Sequence, residues 1–182
     1  MASIVALNLL FPGSRTDLNW INLSLSTLGF TLGAIVVDGI SAFIIRRLPY
    51  RWFDYKSRFF TVSKKERLFY KGIGVKSWRS LVLELGVFTS FSKSHFTDPS
   101  DPKYTARFLL ESCYGVAIHV VGVFVGFLLL AVHPPLSLRV ALPVAIVNAA
   151  LNLLPIFVLR YNTPKIKSIH ERNLRRSARE NS

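Results

Sequence analysis

Four apolar stretches alternate with polar and basic segments along the 182-residue chain. The first, at residues 1–13, is too short to cross a hydrocarbon core of about 30 Å, and it ends at a Pro-Gly pair, so it predicts either a half-span or a helix in the membrane interface. Residues 20–45, 108–132 and 136–159 are each long enough to cross. The pattern therefore predicts an all-α integral membrane protein with three full transmembrane helices in a single membrane domain, residues 1–182.

Residues 46–107, between the second and third apolar stretches, are basic and aromatic, and residues 160–182 form a basic tail. Within the first of these segments, Glu66–Phe91 mixes apolar and basic positions in the manner of an amphipathic helix that lies in the membrane interface. Gly72 and Gly74 are expected to interrupt that helix.

The distribution of charge predicts the orientation in the membrane. Of the 23 Lys and Arg residues, 14 lie in residues 46–107 and seven in residues 160–179. By the positive-inside rule both segments, and the C-terminus, are cytoplasmic, and the turn at residues 133–137 is outside. A net charge of +13 with 51% hydrophobic residues indicates a multi-pass cell-membrane protein whose cations meet anionic lipids. Because these charges flank spans, they do not indicate a nucleic-acid interface.

The last two spans form a hairpin, which aligns residues that are distant in sequence. Counted from Pro135, His119 lies 16 residues upstream and Asn152 lies 17 residues downstream, and the same count gives 24 for Glu111 and 25 for Arg160. At a rise of about 1.5 Å per residue each pair lies at one depth. The spacing therefore predicts contacts of His119 with Asn152 and of Glu111 with Arg160.

His119 is the histidine with the most suitable setting for catalysis, because an imidazole that donates to an amide is held in one tautomer and can act as a general base. Glu111 lies about 12 Å away along an ideal helix, so the two do not form a dyad. Asn148, one turn from Asn152, either holds helices together or, with Asn152, donates to a developing oxyanion. Asp38 either joins the ion pair expected between Glu111 and Arg160 or reaches water.

The sequence holds none of the common cofactor or metal motifs. Its one cysteine, Cys113, has no partner at metal-binding spacing, and there is no Gly-rich phosphate loop, no serine elbow and no His-x-x-x-x-Asp signature. We therefore expect no metal site and no bound cofactor.

Several segments together resemble the glycosyl-4,4'-diaponeurosporenoate acyltransferase family, from about Tyr50 to the C-terminus. They are Glu111 followed after seven residues by His119, Asn152 followed by Arg160-Tyr161-Asn162-x-Pro164 and the basic tail, Phe59-Phe60, Glu66-Arg67 to Phe69-Tyr70, and Gly74-Val75-Lys76-Ser77-Trp78-Arg79. Members of that family complete a carotenoid pigment by esterifying a sugar hydroxyl of a membrane-bound glycolipid.

The resemblance implies an O-acyltransferase of carotenoid biosynthesis that acts on a glycosylated carotenoid or another glycolipid or glycosylated isoprenoid. It implies a catalytic group of His119, Glu111 and Asn152, with His119 as the base. The donor would be of the acyl-CoA type, with its phosphates near basic residues. The substrate-binding residues are expected to be Arg160, Tyr161, Asn162, Asn148, Lys76, Trp78 and Arg79.

A second hypothesis belongs to a different class of protein. The spans contain small-xxx-small pairs at Gly29 with Gly33 and at Gly122 with Gly126, and such pairs often form helix-packing faces. The chain would then be a small non-catalytic subunit that packs beside a larger membrane protein through glycine-rich faces formed by Gly29, Gly33, Gly115, Gly122 and Gly126.

Overall fold

The protein is all-α in the residues that the computed structural model describes, which are 20–82, 98–132 and 137–180. Of these, 85% are helical and none is in a strand, so the predicted fold class is confirmed. The α-helices are α1 Trp20–Arg47, α2 Lys64–Gly72, α3 Val75–Trp78, α4 Pro102–Val125 and α5 Leu142–Glu180. Short 3₁₀ turns lie at Tyr50–Trp52 and Arg79–Leu81. A third 3₁₀ turn, Gly126–Ala131, extends α4, and a π-helical turn, Ser137–Ala141, precedes α5.

Three helices are long and apolar enough to cross a membrane, as the sequence predicts: Trp20–Arg47, Pro102–Ala131 and Leu138–Glu180, with mean hydropathies of 2.1, 2.3 and 2.1. Only 11% of the apolar window of α1 is buried inside the protein, and Leu25, Leu32 and Phe43 are exposed. Such a surface suits a lipid environment. The predicted half-span at residues 1–13, the turn at residues 133–136 and residues 83–91 of the predicted interfacial segment lie outside the described residues.

Helix α4 begins six residues before the apolar stretch that predicted it, because Asp101 caps it. The Asp101 carboxylate accepts hydrogen bonds from the backbone N–H groups of Lys103 at 2.8 Å and Tyr104 at 3.0 Å. Pro102 occupies the first helical position, where its missing N–H costs nothing. The run of apolar residues thus indicates which part of the helix suits lipid, whereas the capping residue determines where the helix begins.

Helix α5 continues through the segment expected to be a tail, up to Glu180. Its polar half is rich in Lys, Arg and Glu, which form helices well, and Lys167 lies 4.0 Å from Glu171 one turn away. Pro164 lies inside this helix, and the hydroxyl of Thr163 donates to the carbonyl of Leu159 at 2.8 Å.

The segment predicted to lie in the membrane interface is divided at its two glycines, as expected from the sequence. Helix α2 ends at Gly72, and Gly74 has a φ of +66°, in the left-handed region that favours glycine. The indole N–H of Trp78 then donates to the carbonyl of Ile73 at 3.0 Å. In the described part of the segment, a tight turn thus separates α2 from α3, and the 3₁₀ turn Arg79–Leu81 follows α3 directly.

The chain divides into two compact units, one of residues up to Arg47 with Ile118–Leu153, the other of Leu48–Ala117 with Leu154–Ser182. The described core of the first unit is small and tight. It contains Ala34, Leu129, Ala141 and Val144, against which Phe30 and Leu130 pack.

The second unit has its own core, built from α4, α5 and the aromatic residues of the long connecting segment. Phe108, Leu109 and Ile166 are buried together, with Tyr55 and Tyr104 packed on them. The ring of Phe53 also stacks on that of Tyr114 with centroids 4.0 Å apart, and the Tyr114 hydroxyl donates to the carbonyl of Leu48 at 3.2 Å. These contacts give residues 48–82 a packed position that their sequence pattern did not predict.

Candidate active site

The first unit contains a connected group of polar side chains on otherwise apolar helices, which we call the histidine cluster: Asp38 on α1, His119 on α4, and Asn148 and Asn152 on α5. His119 Nδ1 lies 2.9 Å from Asn152 Oδ1. The Asn152 amide nitrogen donates to Asp38 Oδ2 at 2.9 Å, and that of Asn148 donates to Asp38 Oδ1 at 3.4 Å. The predicted contact of His119 with Asn152 is present, and Asp38 joins it.

The orientation of the Asn152 amide fixes the tautomer of His119. A carboxylate accepts hydrogen bonds and cannot donate them, so the Asn152 nitrogen must face Asp38 and its carbonyl oxygen must face the imidazole. His119 Nδ1 therefore carries a proton and donates it to Asn152 Oδ1. In the neutral ring this leaves the lone pair on Nε2, which is the basic nitrogen.

The two amides of α5 have no donor to spare for a substrate. Besides Asp38, the Asn152 nitrogen donates to the carbonyl of Asn148 at 3.1 Å, and the Asn148 nitrogen donates to the carbonyl of Gly122 at 3.3 Å. Each nitrogen has two N–H groups, and both are engaged. The expectation that these amides stabilise a developing oxyanion stays a prediction, and the contacts in this structure favour a positioning role for Asn152.

The amide contacts also explain how an acidic residue is tolerated on an apolar helix. An aspartate at the centre of a membrane helix costs about 2.5 to 3.5 kcal/mol on insertion scales. A hydrogen bond to a charged group contributes about 1.5 to 3 kcal/mol. The two hydrogen bonds that the amides donate to Asp38 can therefore offset the free-energy cost of placing the carboxylate on an apolar helix.

Two glycines, one on α4 and one at the start of its 3₁₀ extension, make room for the amides. Asn148 and Asn152 are four residues apart on α5, and Gly122 and Gly126 are likewise four residues apart, so each pair lies on nearly the same face. A Cβ atom added to Gly122 would lie 2.5 Å from Asn152 Oδ1, and one added to Gly126 would lie 2.8 Å from Asn148 Nδ2. The chain's own asparagines therefore fill the space beside Gly122 and Gly126. The docking of a partner protein stays a prediction.

We expect Gly122→Ala to displace the Asn152 side chain and to destabilise the protein by about 1 to 3 kcal/mol, as overpacking does. Thermal unfolding in mild detergent measures the effect. The matched control is Gly39→Ala on α1, where an added Cβ meets nothing within 4 Å. Equal melting temperatures for the two variants would contradict the close approach at Gly122.

The second unit contains a different polar group, the Glu66 clamp, made of Glu66, Tyr70 and Arg160. The Arg160 guanidinium donates to both carboxylate oxygens of Glu66, with Nη2 3.0 Å from Oε2, and the Tyr70 hydroxyl donates to Oε1 at 2.5 Å. Arg160 also donates to the carbonyls of Phe59 at 2.8 Å and Thr61 at 3.3 Å. Four of its five N–H groups thus tie the segment before α2, and α2 itself, to α5.

The charge states of the clamp follow from its contacts. Burial alone raises the pKa of the Glu66 carboxyl, but the hydrogen bonds from Arg160 and Tyr70 outweigh burial and hold this pKa below its ordinary value. Burial, together with the hydrogen bond to the Glu66 carboxylate, raises the pKa of Tyr70. At neutral pH, Glu66 is therefore charged and Tyr70 neutral, an arrangement that holds structure together without moving protons.

The predicted contact of Glu111 with Arg160 is wrong, because Arg160 pairs with Glu66. Counting residues along a hairpin gives the depth of a side chain but not the direction in which it points around its helix. Glu111 lies half-buried on α4 in the second unit. Its catalytic role stays a prediction.

The remaining predicted substrate residues lie in the second unit. Arg79 Nη1 donates to Asn162 Oδ1 at 3.2 Å, so the structure brings these two together from positions 83 residues apart. Lys76 is exposed, and Trp78 and Tyr161 are half-buried. Their roles in substrate binding stay predictions.

Sequence reasoning assigned no site role to Glu66 or Tyr70. Two local signals point to them: Ser63 caps α2 by accepting from the Glu66 N–H at 3.1 Å, in the spacing of a capping box, and Tyr70 follows Glu66 by one turn. Their partner Arg160 lies 94 residues away, which no local pattern reveals. Among the described residues there is no group of three His, Cys, Asp or Glu side chains that could hold a metal ion.

The chain matches a known protein family. Residues 49–172 match the family model described as glycosyl-4,4'-diaponeurosporenoate acyltransferase. The matched segment contains the Glu66 clamp and the α4 and α5 members of the histidine cluster, whereas Asp38 precedes it. No curated protein and no solved structure shows a significant match to the chain.

Proposed function

The chain belongs to the glycosyl-4,4'-diaponeurosporenoate acyltransferase family, and from this we propose that it is an integral membrane O-acyltransferase. It moves a fatty acyl group onto a sugar hydroxyl of a glycosylated carotenoid or a related glycolipid. His119 is the general base of the transfer. The observation that carries the assignment of the base is the Asn152 carbonyl, which holds His119 with Nε2 as its basic nitrogen.

The proposed reaction needs one proton shuttle. A sugar hydroxyl is a poor nucleophile at neutral pH, and Nε2 of His119 takes its proton as the oxygen attacks the carbonyl carbon of an acyl thioester. The carbon–oxygen bond forms, the carbon–sulfur bond breaks, and the departing thiolate takes the proton back from the imidazolium. The products are the sugar ester and a free thiol, and His119 returns to its starting tautomer.

The donor is proposed to be of the acyl-CoA type. Its phosphates are strongly anionic and bind Lys and Arg side chains. The second unit offers exposed cations for this purpose at Lys71, Lys76, Arg79 and Lys165. Arg160 is less suited to the task, because most of its donors hold the Glu66 clamp.

The proposed topology places the basic regions in the cytoplasm. With α1, α4 and α5 each crossing the membrane once, residues 48–82 and the polar half of α5 lie on the same side, and their positive charge makes this side cytoplasmic. The C-terminus is then cytoplasmic, where acyl-CoA is available.

Turnover by the purified protein tests the proposed function. We expect the full chain in liposomes, supplied with glycosyl-4,4'-diaponeurosporenoate and palmitoyl-CoA, to release free CoA and to form a carotenoid glycoside heavier by one palmitoyl group. Mass spectrometry of the lipid extract and a thiol assay measure the two products. Protein-free liposomes are the control. Absence of both products with acyl-CoA donors of several chain lengths would contradict an acyltransferase and favour a non-catalytic subunit.

A further inference from the structure

Asp38 is the one acidic residue of α1, and it lies outside the segment that matches the family. We propose that Asp38 is a positioning residue for His119 that acts through the Asn152 amide. This inference rests on the proposed function, because it assigns Asp38 to the same base. It gives α1 a part in the chemistry, in addition to any part in anchoring the chain.

The contacts form a directed chain of hydrogen bonds. Both oxygens of the Asp38 carboxylate accept from amides, one from Asn148 and one from Asn152. The Asn152 oxygen then accepts from His119 Nδ1. Asn152 is buried, with 8% of its surface exposed, so water does not readily replace either of its bonds. The carboxylate thus determines which end of the amide faces the ring.

The carboxylate also supplies the charge that the reaction needs. When Nε2 takes the proton of the sugar hydroxyl, the ring becomes positive in an apolar setting, where an isolated charge is costly. The negative charge of Asp38 lies at the other end of the hydrogen-bonded chain and stabilises this imidazolium, as a carboxylate does when it is bonded directly to a catalytic histidine. Here an amide lies between the two.

A purely structural role would predict a different response to mutation. In Asp38→Asn the side chain keeps its size but gains an N–H group, so the Asn152 amide can turn and present its nitrogen to His119. The imidazole would then accept at Nδ1 and carry its proton on Nε2, where it cannot act as a base. We expect kcat to fall by about 10²-fold or more with little change in KM, because binding does not use this group.

The combined variant Asp38→Asn with Asn152→Asp tests the direction of the chain. It moves the carboxylate to position 152, where it accepts from His119 Nδ1, while the new amide at position 38 donates to it. We expect the kcat of this double variant to be at least 10-fold higher than that of Asp38→Asn alone. Loss of a structural contact alone predicts that the second substitution lowers kcat further.

A readout that does not depend on turnover is the tautomer of His119, measured by ¹⁵N solid-state NMR of histidine-labelled full-length protein in liposomes. The spectrum of Asp38→Asn is expected to show a protonated Nε2 at His119, and the combined variant is expected to return the proton to Nδ1. Ser41→Ala, which removes a hydroxyl that donates to the Val37 carbonyl on the same helix at 2.8 Å, is the matched control and should leave both tautomer and kcat unchanged.

The outcomes separate this inference from the proposed function. If the wild-type protein transfers acyl groups and Asp38→Asn keeps its kcat and its tautomer, Asp38 is not a positioning residue and the acyltransferase assignment stands. If the wild-type protein transfers nothing but the tautomer follows the predicted series, the hydrogen-bonded chain stands and the proposed function fails. If the His119 tautomer in Asp38→Asn is the same as in the wild type, the inference is overturned in either case.

Discussion

His119→Gln is expected to lower kcat by about 10² to 10⁴-fold, the usual contribution of a general base. Glutamine keeps an N–H group that can donate toward Asn152, so the helix contact is largely retained, but it has no basic nitrogen. Because the reaction still needs the sugar hydroxyl to lose its proton, the loss appears in kcat, with KM changed little. Turnover of glycosyl-4,4'-diaponeurosporenoate by purified protein in liposomes gives both constants.

The control for this variant is Val121→Ala, which shortens a partly exposed apolar side chain on the same helix. It should retain turnover close to that of the wild type. If His119→Gln also retains wild-type kcat while it accumulates normally in membranes, His119 is not the base, and the histidine cluster serves only to pack helices.

Glu66→Gln is expected to destabilise the protein by about 1.5 to 3 kcal/mol, because it removes the charge that two guanidinium contacts and one hydroxyl contact stabilise. For a chain of this size such a loss lowers the melting temperature by about 3 to 12 °C. The remaining Arg160 charge, with 15% of its side chain exposed, then lacks its counter-ion. Thermal unfolding in detergent at pH 7 measures the difference.

The same clamp predicts a pH dependence. The folded pKa of Glu66 lies below its ordinary value of 4.5, so its ionised form stabilises the fold above that pH. This stabilisation is lost as the pH falls through the lower folded pKa. The difference in melting temperature between the wild type and Glu66→Gln should therefore be full at pH 7 and should shrink progressively below about pH 4.5.

Glu171→Gln is the matched control, since Glu171 forms an ion pair on α5 at 4.0 Å with nearly half of its side chain exposed. Pairs of this kind contribute less than about 1 kcal/mol. A melting temperature as low for Glu171→Gln as for Glu66→Gln, or a Glu66 effect that does not depend on pH, would show that the clamp does not hold the second unit together.

The sequence was sufficient to predict the three long apolar helices and the breaks at two glycines. Runs of apolar residues predict the three long helices, and the breaks at Gly72 and Gly74 occur where the sequence places them. It was insufficient for the ends of α4 and α5, because these helices continue into polar residues that an apolar window does not count. The cap at Asp101 is readable in sequence once a helix is expected there.

The candidate site was predictable to the same partial degree. Residue counts from the hairpin turn place His119 and Asn152 at one depth, and the two side chains meet. The same counts place Glu111 and Arg160 together, and they do not meet, because depth carries no information on rotation about the helix axis. In the sequence, the glycines at 122 and 126 indicate a docking face for a partner, whereas in the structure they lie beside Asn152 and Asn148 of α5.

The central claim is that an amide holds His119 with its basic nitrogen at Nε2, and the ¹⁵N spectrum of the wild-type protein at neutral pH tests it most directly. The His119 signals are identified as those absent from His119→Gln. We predict a protonated Nδ1 and an unprotonated Nε2. A proton on Nε2 instead, or on both nitrogens, would contradict the account.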